Sequence, residues 1–255
     1  MKAILVAGGH GSRLYPFTRY THKTLLPLYG RPVIDYALAT IRRAGVTDIT
    51  IIGNRFIGQI AQHVGTGLPG ENIHYVIEEE PLGVYHALNL ARPHVENSRI
   101  LVYFSDNITT IELTNAVAEF RDSDSPPGCV LIGREVDDPE RFGIASFDSD
   151  GNLSEIVEKP QNPPSSFAIG GIYLYDETFW SRLDEVVSTK GSQMSITDVN
   201  RTYVKQGFAS IIQSKDSLWI DCGTPEALFE ASQLAAEGKL SALPCNVREE
   251  DPSIE

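Results

Sequence analysis

The chain has 255 residues, of which 42% are hydrophobic, and it carries a formal net charge of −13. This composition predicts a packed α/β protein of one large or two small domains, and the negative charge argues against non-specific binding to nucleic acids or anionic membranes. No apolar run is long enough to span a bilayer, and the first residues do not form a signal-peptide pattern. We therefore expect a cytoplasmic protein in which Cys129, Cys222 and Cys245 are reduced thiols without metal-ligand spacing.

The charge is distributed unevenly along the chain. Residues 1–43 contain seven lysines and arginines but a single acidic residue, Asp35, so they carry +6 and the remaining 212 residues carry −19. A local positive region in an acidic protein favours a small anionic ligand bound at one place. For Arg42 and Arg43, the simpler interpretation is a solvated helix face.

Strand and helix patterns alternate through the first half of the chain. In chain order we predict a strand at 2–7, a helix at 32–44, a strand at 48–53, a helix at 57–64, a strand at 73–77, a helix at 84–91, a strand at 99–104 and a helix at 113–121. Repeated strand–helix units imply a largely parallel sheet covered on both faces. In such sheets, ligands bind beyond the carboxyl ends of the strands.

The second half is richer in strands joined by short loops. We predict strands at 129–134, 143–147, 153–158 and 168–175, helices at 178–187 and 196–206, strands at 209–213 and 217–220, and a helix at about 225–237. The segment DSDGN at 148–152 is typical of a hairpin turn. We find no internal repeat and no linker between independent domains, and we expect the tail from Glu249 onward to be frayed.

The first predicted strand ends in a loop with three glycines and one arginine, GGHGSR at residues 8–13. Glycines let backbone N–H groups approach a ligand, successive N–H groups form an anion-binding concavity, and arginine matches phosphate. The loop lacks the lysine of a P-loop, and Leu14 stands where a dinucleotide fingerprint has its third glycine. We interpret it as a polyphosphate-binding loop, with a tight strand-to-helix turn as the alternative.

Two aspartates that follow apolar strands are candidate metal ligands, Asp106 and Asp221. If both strand ends face the loop, the two carboxylates could hold Mg²⁺ together with water and phosphate oxygens. A single aspartate at such a position is more often the cap of a helix or turn. In the pair Glu158 and Lys159, the carboxylate can accept sugar hydroxyls and the lysine can meet a phosphate, although an exposed ion pair is equally consistent. Three histidines form no metal pattern and are interpreted as ordinary polar residues: His10, His22 and His86.

Taken together and in order, these segments resemble the sugar-1-phosphate nucleotidyltransferases, and most closely the short-type glucose-1-phosphate thymidylyltransferases. The matching segments are GGHGSRLYP (8–16), KTLLP (23–27), EPLG (80–83), SDN (105–107), DPERFG (138–143), EKP (158–160), ITDVN (196–200) and WIDCGT (219–224). The resemblance implies a single-domain α/β fold with a Rossmann-like mixed central sheet flanked by helices. It places the domain at 1–240, with a nucleotide-binding part at about 1–125, a sugar-binding part at about 126–240, and a tail at 241–255.

The same resemblance implies a Mg²⁺-dependent reaction in which a nucleoside triphosphate and a sugar 1-phosphate give a nucleotide sugar and pyrophosphate. It implies catalytic charges at Arg13 on the leaving pyrophosphate, at Lys23 on phosphate and at Lys159 on the sugar phosphate, with Asp106 and Asp221 holding the metal. The implied nucleotide-binding residues are Gly8, Gly9, Gly11, Ser12, Glu78, Pro81, Gly83 and Ser105. The implied sugar-binding residues are Gly143, Glu158, Gly170 and Tyr173. A homo-oligomer is expected by the same analogy.

The chain departs from the family pattern where substrates are recognised. Glu78 replaces a glutamine that reads the base edge in thymidylyltransferases, and a carboxylate can only accept hydrogen bonds, two from guanine but one from thymine. Tyr85 stands where the thymidylyl type has alanine, Ser105 replaces a glycine before Asp106, and Gly170 replaces a side chain near the sugar pocket. We expect thymidylyl transfer from dTTP to glucose 1-phosphate. The alternatives are transfer of guanylyl or another nucleotidyl group to a different sugar or cyclitol phosphate, and a non-catalytic nucleotide-sugar-binding regulatory subunit.

Overall fold

A mixed sheet of nine strands forms the centre of the protein in the computed structural model, which describes residues 1–214 and 217–242. The strands are β1 (Lys2–Ala7), β2 (Pro27–Leu28), β3 (Arg31–Pro32), β4 (Asp48–Gly53), β5 (Asn72–Ile77), β6 (Ile100–Phe104), β7 (Asn107–Thr109), β8 (Cys129–Glu135), β9 (Gly143–Phe147), β10 (Leu153–Glu158), β11 (Phe167–Tyr175), β12 (Ala209–Gln213) and β13 (Trp219–Asp221). The α-helices are α1 (Val33–Arg43), α2 (Ile57–Val64), α3 (Val84–Val95), α4 (Thr114–Asp122), α5 (Phe179–Lys190), α6 (Ile196–Lys205) and α7 (Pro225–Ala236).

The sheet has a parallel half and an antiparallel half. Strands β5, β4, β1 and β6 lie side by side in parallel, so that Leu5 pairs with Ile51 on one side and with Tyr103 on the other. Strand β11 continues the sheet antiparallel to β6, and it also pairs with β8 and with β9, which forms a hairpin with β10. Strand β12 lies parallel to β8. Two small sheets, β2–β3 and β7–β13, lie outside the nine-stranded sheet.

Helices cover both faces of this sheet, because successive residues of a buried strand point to opposite sides. In β1, Leu5 belongs to the apolar cluster formed with α1, α2 and α4, whereas its neighbour Ile4 belongs to the cluster formed with α3, α5 and α6. A third, smaller cluster packs α7 against β2, β7 and β13. The predicted α/β class, with a mixed central sheet flanked by helices, is confirmed.

Most predicted bounds differ from the structure by no more than one residue, but three elements differ by more. Helix α5, predicted to end at residue 187, continues to Lys190. Helix α3 does not stop at residue 91 but continues to Val95 through Pro93. Proline lacks an N–H group, so only the carbonyl of Asn89 loses its helical partner, and Asn89 is exposed to water. The last strand is β13 at Trp219–Asp221 rather than 217–220, and it pairs with the short strand β7, which the sequence pattern did not predict.

Three predictions concern the cysteines, the ends of the chain and its division into parts. Cys129 and Cys222 are buried free thiols, whereas Cys245 and the predicted tail from Glu249 lie outside the described residues. Among the described helices, none has the length and apolarity needed to cross a membrane. The division of the domain near residue 125 stays a prediction, since the nine-stranded sheet contains strands from both parts.

Candidate active site

Each of the four parallel strands delivers a residue or loop to the same edge of the sheet. The glycine loop follows β1, Asn54 follows β4, Glu78 follows β5, and Asp106 follows β6 by two residues. The carboxyl ends of parallel strands meet at one edge, which is where ligands bind in sheets of this kind. The topology therefore assembles the predicted nucleotide-binding residues from four separate parts of the chain.

The glycine loop is held in place by two side chains that the sequence did not single out. Asn54 Nδ2 donates to the carbonyl of Gly9 at 2.8 Å, and Thr18 Oγ1 donates to the carbonyl of Gly11 at 2.9 Å. Gly9 and Gly11 have φ angles of 84° and 61°, in the left-handed region that favours glycine. A Cβ at Gly11 would lie 3.0 Å from Thr18 Cγ2, so this glycine also permits close packing.

Glu78 lies directly against the glycine loop. Its side chain is 2% exposed, and a Cβ at Gly8 would collide with its carboxylate. Burial raises the pKa of Glu78, while nearby His86, the backbone N–H of Gly9 and His10 act in the opposite direction. The predicted base reader and the predicted loop are thus in contact, although Gly8 and Glu78 are 70 positions apart in the sequence.

Asp106 and Asp221 come together through the small β7–β13 sheet. Asn107 pairs with Asp221, and the N–H of Cys222 donates to the carbonyl of Asp106 at 2.8 Å. Lys23 Nζ lies 2.5 Å from Asp106 Oδ2. The structure therefore unites two predicted metal ligands with one predicted phosphate-binding lysine.

The charges of this group influence one another strongly. Burial would raise the pKa of Asp106, but the charge and hydrogen bond of Lys23 hold it below its usual range. For Asp221, burial and the Asp106 carboxylate raise the pKa, and Arg13 and Lys23 oppose this shift. Two carboxylates that repel each other match the preference of Mg²⁺ for charged oxygen ligands.

Two carboxylates alone would not complete the ligand shell of such an ion. In the described part of the chain, no group of three or more histidines, cysteines, aspartates or glutamates is arranged to hold a metal. Mg²⁺ usually takes one or two carboxylates and completes its shell with water and substrate phosphates. Arg13 reaches this region as well, because a Cβ at Gly223 would collide with its guanidinium.

The predicted sugar-binding residues line a cleft of about 440 Å³ that Arg13, Asp106 and Asp221 also line. Thr197 Oγ1 donates to Glu158 Oε2 at 2.5 Å. A Cβ at Gly143 would lie 3.1 Å from Thr197 Oγ1 and 3.3 Å from Glu158 Oε2, so Gly143 leaves this pair accessible.

Lys159 and Gly170 both have an unusual backbone environment in the cleft. Lys159 has a φ of 43°, a left-handed conformation that is strained for a residue other than glycine and is common at functional sites. The indole of Trp219 covers Gly170, and any Cβ there would collide with it. Trp219 Nε1 donates to Asn107 Oδ1 at 2.8 Å, and Asn107 Nδ2 donates to Asp106 Oδ1 at 3.1 Å. The sugar-binding wall is thereby linked to a candidate metal ligand.

Other predicted residues take part less directly. Tyr173 lines the cleft but is 5% exposed, with its ring edge-on to Phe104. Ser105 is fully buried; its N–H donates to the carbonyl of Val6 at 3.0 Å, and its hydroxyl has no partner among the described residues. Gly83 is the N-cap of α3 and has a φ of 109°. Of the two remaining predicted nucleotide-binding residues, Ser12 is exposed and Pro81 is half-buried.

The sequence interpretation missed Asn54, Thr18, Asn107 and Thr197 as parts of the site. Asn107 and Thr197 lie within the segments that resemble the family, so the matching residues beside them could have indicated that they belong to the site. For Asn54 and Thr18, the only signal in the sequence was their position close to the end of a strand or loop. The prediction that His22 is an ordinary polar residue does not describe its setting, because its ring is fully buried.

Comparison with known proteins agrees with this architecture. The family model described as Nucleotidyl transferase matches residues 2–238. The low-salt glycan biosynthesis nucleotidyltransferase Agl11 of Haloferax volcanii is 33% identical over 241 residues, which cover 94% of this chain and 67% of that protein. A glucose-1-phosphate thymidylyltransferase of Neisseria gonorrhoeae is 34% identical over 240 residues, covering 91% of this chain and 81% of that protein.

A solved structure gives the same result. A Bacillus anthracis protein assigned as a glucose-1-phosphate thymidylyltransferase, crystallised in complex with sucrose, matches with a TM-score of 0.83 and 35% identity. The match covers 92% of this chain and 95% of that one. The resemblance drawn from the ordered motifs is confirmed. The chain belongs to the nucleotidyl transferase family, and within it to the sugar-1-phosphate nucleotidyltransferases.

Proposed function

We propose that this chain is a Mg²⁺-dependent, thymidylyltransferase-like enzyme that uses dTTP and glucose 1-phosphate. The observation that carries the proposal is the meeting of Arg13, Lys23, Asp106 and Asp221 beside the sugar cleft. The names of two similar proteins support the choice of nucleotide and sugar. By family analogy we also propose a cytoplasmic location and a homo-oligomer, and light scattering of the purified protein would test the oligomeric state.

The proposed reaction needs positioning and charge stabilisation more than proton transfer. A phosphate oxygen of the sugar 1-phosphate attacks the α-phosphorus of the triphosphate, and the bond from that phosphorus to the bridging oxygen breaks. Pyrophosphate leaves with the electron pair. The nucleophile is already an anion, so the main barrier is the approach of two negative groups and the spread of charge at phosphorus.

The residues present can supply that stabilisation. Lys23 is held at Asp106 and is positioned to meet a phosphate oxygen, and Arg13 provides a planar fork for the leaving pyrophosphate. Lys159 would meet the phosphate of the sugar. Glu158, oriented by Thr197, would accept hydrogen bonds from sugar hydroxyls. Asp106 and Asp221 would hold Mg²⁺, which when bound neutralises phosphate charge.

A pyrophosphate-release matrix tests this function directly. The common nucleoside triphosphates are combined with a panel of sugar 1-phosphates, with Mg²⁺ and separately with excess EDTA. We expect the highest kcat/KM for dTTP with glucose 1-phosphate and no release in EDTA. Activity that survives EDTA would contradict the metal dependence, and no release from any pair would contradict the function.

The position of Glu78 favours a second candidate, guanylyl transfer. Its carboxylate lies at the glycine loop, where the proposed base would bind. An ionised carboxylate accepts two hydrogen bonds from the N1–H and amino groups of guanine, whereas thymine offers one N–H and two carbonyl oxygens. A GTP preference in the same matrix would select this alternative.

A further inference from the structure

A second cavity opens on the glycine loop, with a volume of about 360 Å³. We call it the flank pocket; its lining includes His10, Ser12, Arg19, Asn54 and Arg55. In the described part of the chain, none of its lining residues also lines the catalytic cleft. Arg13 lines the cleft, whereas its neighbour Ser12 lines the flank pocket, so the loop lies between the two cavities.

The flank pocket is basic in a protein with a net charge of −13. Arg19 and Arg55 are exposed, and no aspartate or glutamate is among the described residues that line the pocket. Neither arginine forms an ion pair within residues 1–214 and 217–242. Arg42 and Arg92, by contrast, each bind a carboxylate. Uncompensated positive charge beside a polyphosphate loop attracts anions.

Both arginines are oriented by neighbouring aromatic rings. Arg19 Cζ lies 5.3 Å from the centre of the Tyr20 ring, and Arg55 Cζ lies 4.9 Å from that of Phe56. Such cation–π contacts restrict the guanidinium while leaving its N–H groups free to donate.

The same side chains form hydrogen bonds to the glycine loop and line the flank pocket. Asn54 donates to the carbonyl of Gly9 and, through Oδ1, accepts from the N–H of Phe56 at 2.9 Å. One side chain therefore couples the loop backbone to the turn that carries Arg55. Thr18, which precedes Arg19, holds the carbonyl of Gly11 in the same way. The backbone segments that carry the two arginines are thus tied to the loop.

We propose that Arg19 and Arg55, together with Arg13, bind the terminal phosphates of the nucleoside triphosphate and retain them as pyrophosphate after transfer. The inference rests on the proposed function, in which the α-phosphate lies near Asp106 and Asp221 while the β- and γ-phosphates follow the loop. When the bond between the α-phosphorus and the bridging oxygen breaks, pyrophosphate gains the electron pair. The positive charges of the Arg19 and Arg55 guanidinium groups compensate its charge.

The test compares ligands that differ only in their phosphates. Inorganic pyrophosphate, dTTP and dTMP are titrated calorimetrically, without sugar phosphate, into the wild type, Arg19→Gln, Arg55→Gln and the double variant. We expect the double variant to bind pyrophosphate and dTTP roughly 10- to 100-fold more weakly, since two charge-assisted hydrogen-bonding groups are lost. Affinity for dTMP should change less than about twofold. The KM for sugar 1-phosphate should be unchanged, and lysine at either position should restore part of the affinity.

Arg121→Gln is the matched control, because Arg121 is an exposed arginine paired with Asp122 and lies outside both cavities. Equal binding of pyrophosphate and dTTP by the wild type and the double variant would overturn the inference. Equal weakening of dTMP would overturn it too, because it would show a disturbed loop. If the wild type releases pyrophosphate from no substrate pair, the proposed function fails instead.

Discussion

The two ends of the candidate site are built on different principles. The nucleotide end, which comprises the glycine loop and Glu78, presents mainly backbone that side chains such as Asn54 hold from outside. The sugar end, which comprises Gly143, Glu158, Gly170 and Tyr173, presents the side chains of Glu158 and Tyr173, and Thr197 orients Glu158. A backbone cradle suits phosphates, which every nucleotide shares, whereas oriented side chains suit the hydroxyls that distinguish sugars. The difference separates general from selective recognition.

The largest effect is expected where the two ends meet. Asp106→Asn and Asp221→Asn each remove one carboxylate of the candidate metal site, and we expect turnover to fall by a factor of at least roughly 10² to 10³. Pyrophosphate release measures the loss, and circular dichroism should show a folded chain. Asp122→Asn, which changes an exposed aspartate, is the control. Near-normal turnover in either variant would remove that residue from the metal site.

The buried histidine beside Lys23 should make the stability of the fold sensitive to acid. His22 is fully buried beside Lys23, and burial lowers its pKa from 6.5 to about 4. The unfolded chain therefore binds this proton at a higher pH than the folded chain does, so stability is lost as the pH falls from about 6.5 to about 4. This loss reaches about 3 kcal/mol by linkage.

Urea unfolding between pH 4 and 7 measures this dependence. His22→Asn should flatten it, whereas substitution of the exposed His10 should leave it as in the wild type. An equally steep curve for His22→Asn would assign the acid sensitivity to other groups.

At the sugar end, removing a single hydroxyl should weaken the binding of only one substrate, the sugar 1-phosphate. Thr197→Val deletes the donor to Glu158, and we expect the KM for sugar 1-phosphate to rise about tenfold while the KM for the triphosphate is unchanged. Thr197→Ser retains the hydroxyl and should behave like the wild type. A similar rise in both KM values would show that the two ends are not independent.

At the nucleotide end, Asn54→Ala should weaken the binding of the triphosphate and leave that of the sugar 1-phosphate unchanged. It removes the bond to Gly9, and we expect the KM for the triphosphate to rise about fivefold with no change for sugar 1-phosphate. Asn152→Ala, in the exposed β9–β10 turn, provides the control. An effect on the sugar KM alone would contradict the assignment of Asn54 to the nucleotide end.

An effect of similar size is expected on the choice of base. Glu78→Gln replaces an acceptor-only group by one that both donates and accepts, so we expect the ratio of kcat/KM for dTTP to that for GTP to rise about fivefold. Because burial raises the pKa of Glu78, the neutral amide should not destabilise the fold. An unchanged ratio would show that Glu78 does not read the base.

Elements were predicted accurately from the sequence where the pattern that defines them lies within the element itself. The strand at Lys2–Ala7 and the helix at Ile57–Val64 were predicted to the residue, because apolar periodicity and flanking glycines are local. The end of α3 was wrong, because a proline normally marks a helix end and here does not. The short strand β7 was missed, because its pairing with β13 depends on residues more than a hundred positions away.

The sequence by itself determined the parallel half of the sheet, the glycine loop and the family, since ordered motifs and periodic apolar residues are visible in the sequence alone. Only the tertiary structure decided that Glu78 contacts Gly8, that Asp221 approaches Asp106, and that Trp219 covers Gly170. It also placed Arg19 and Arg55 around one pocket. The physical reason is that burial, pKa shifts and close approach arise between side chains distant in sequence, once strand pairing brings them to one edge of the sheet.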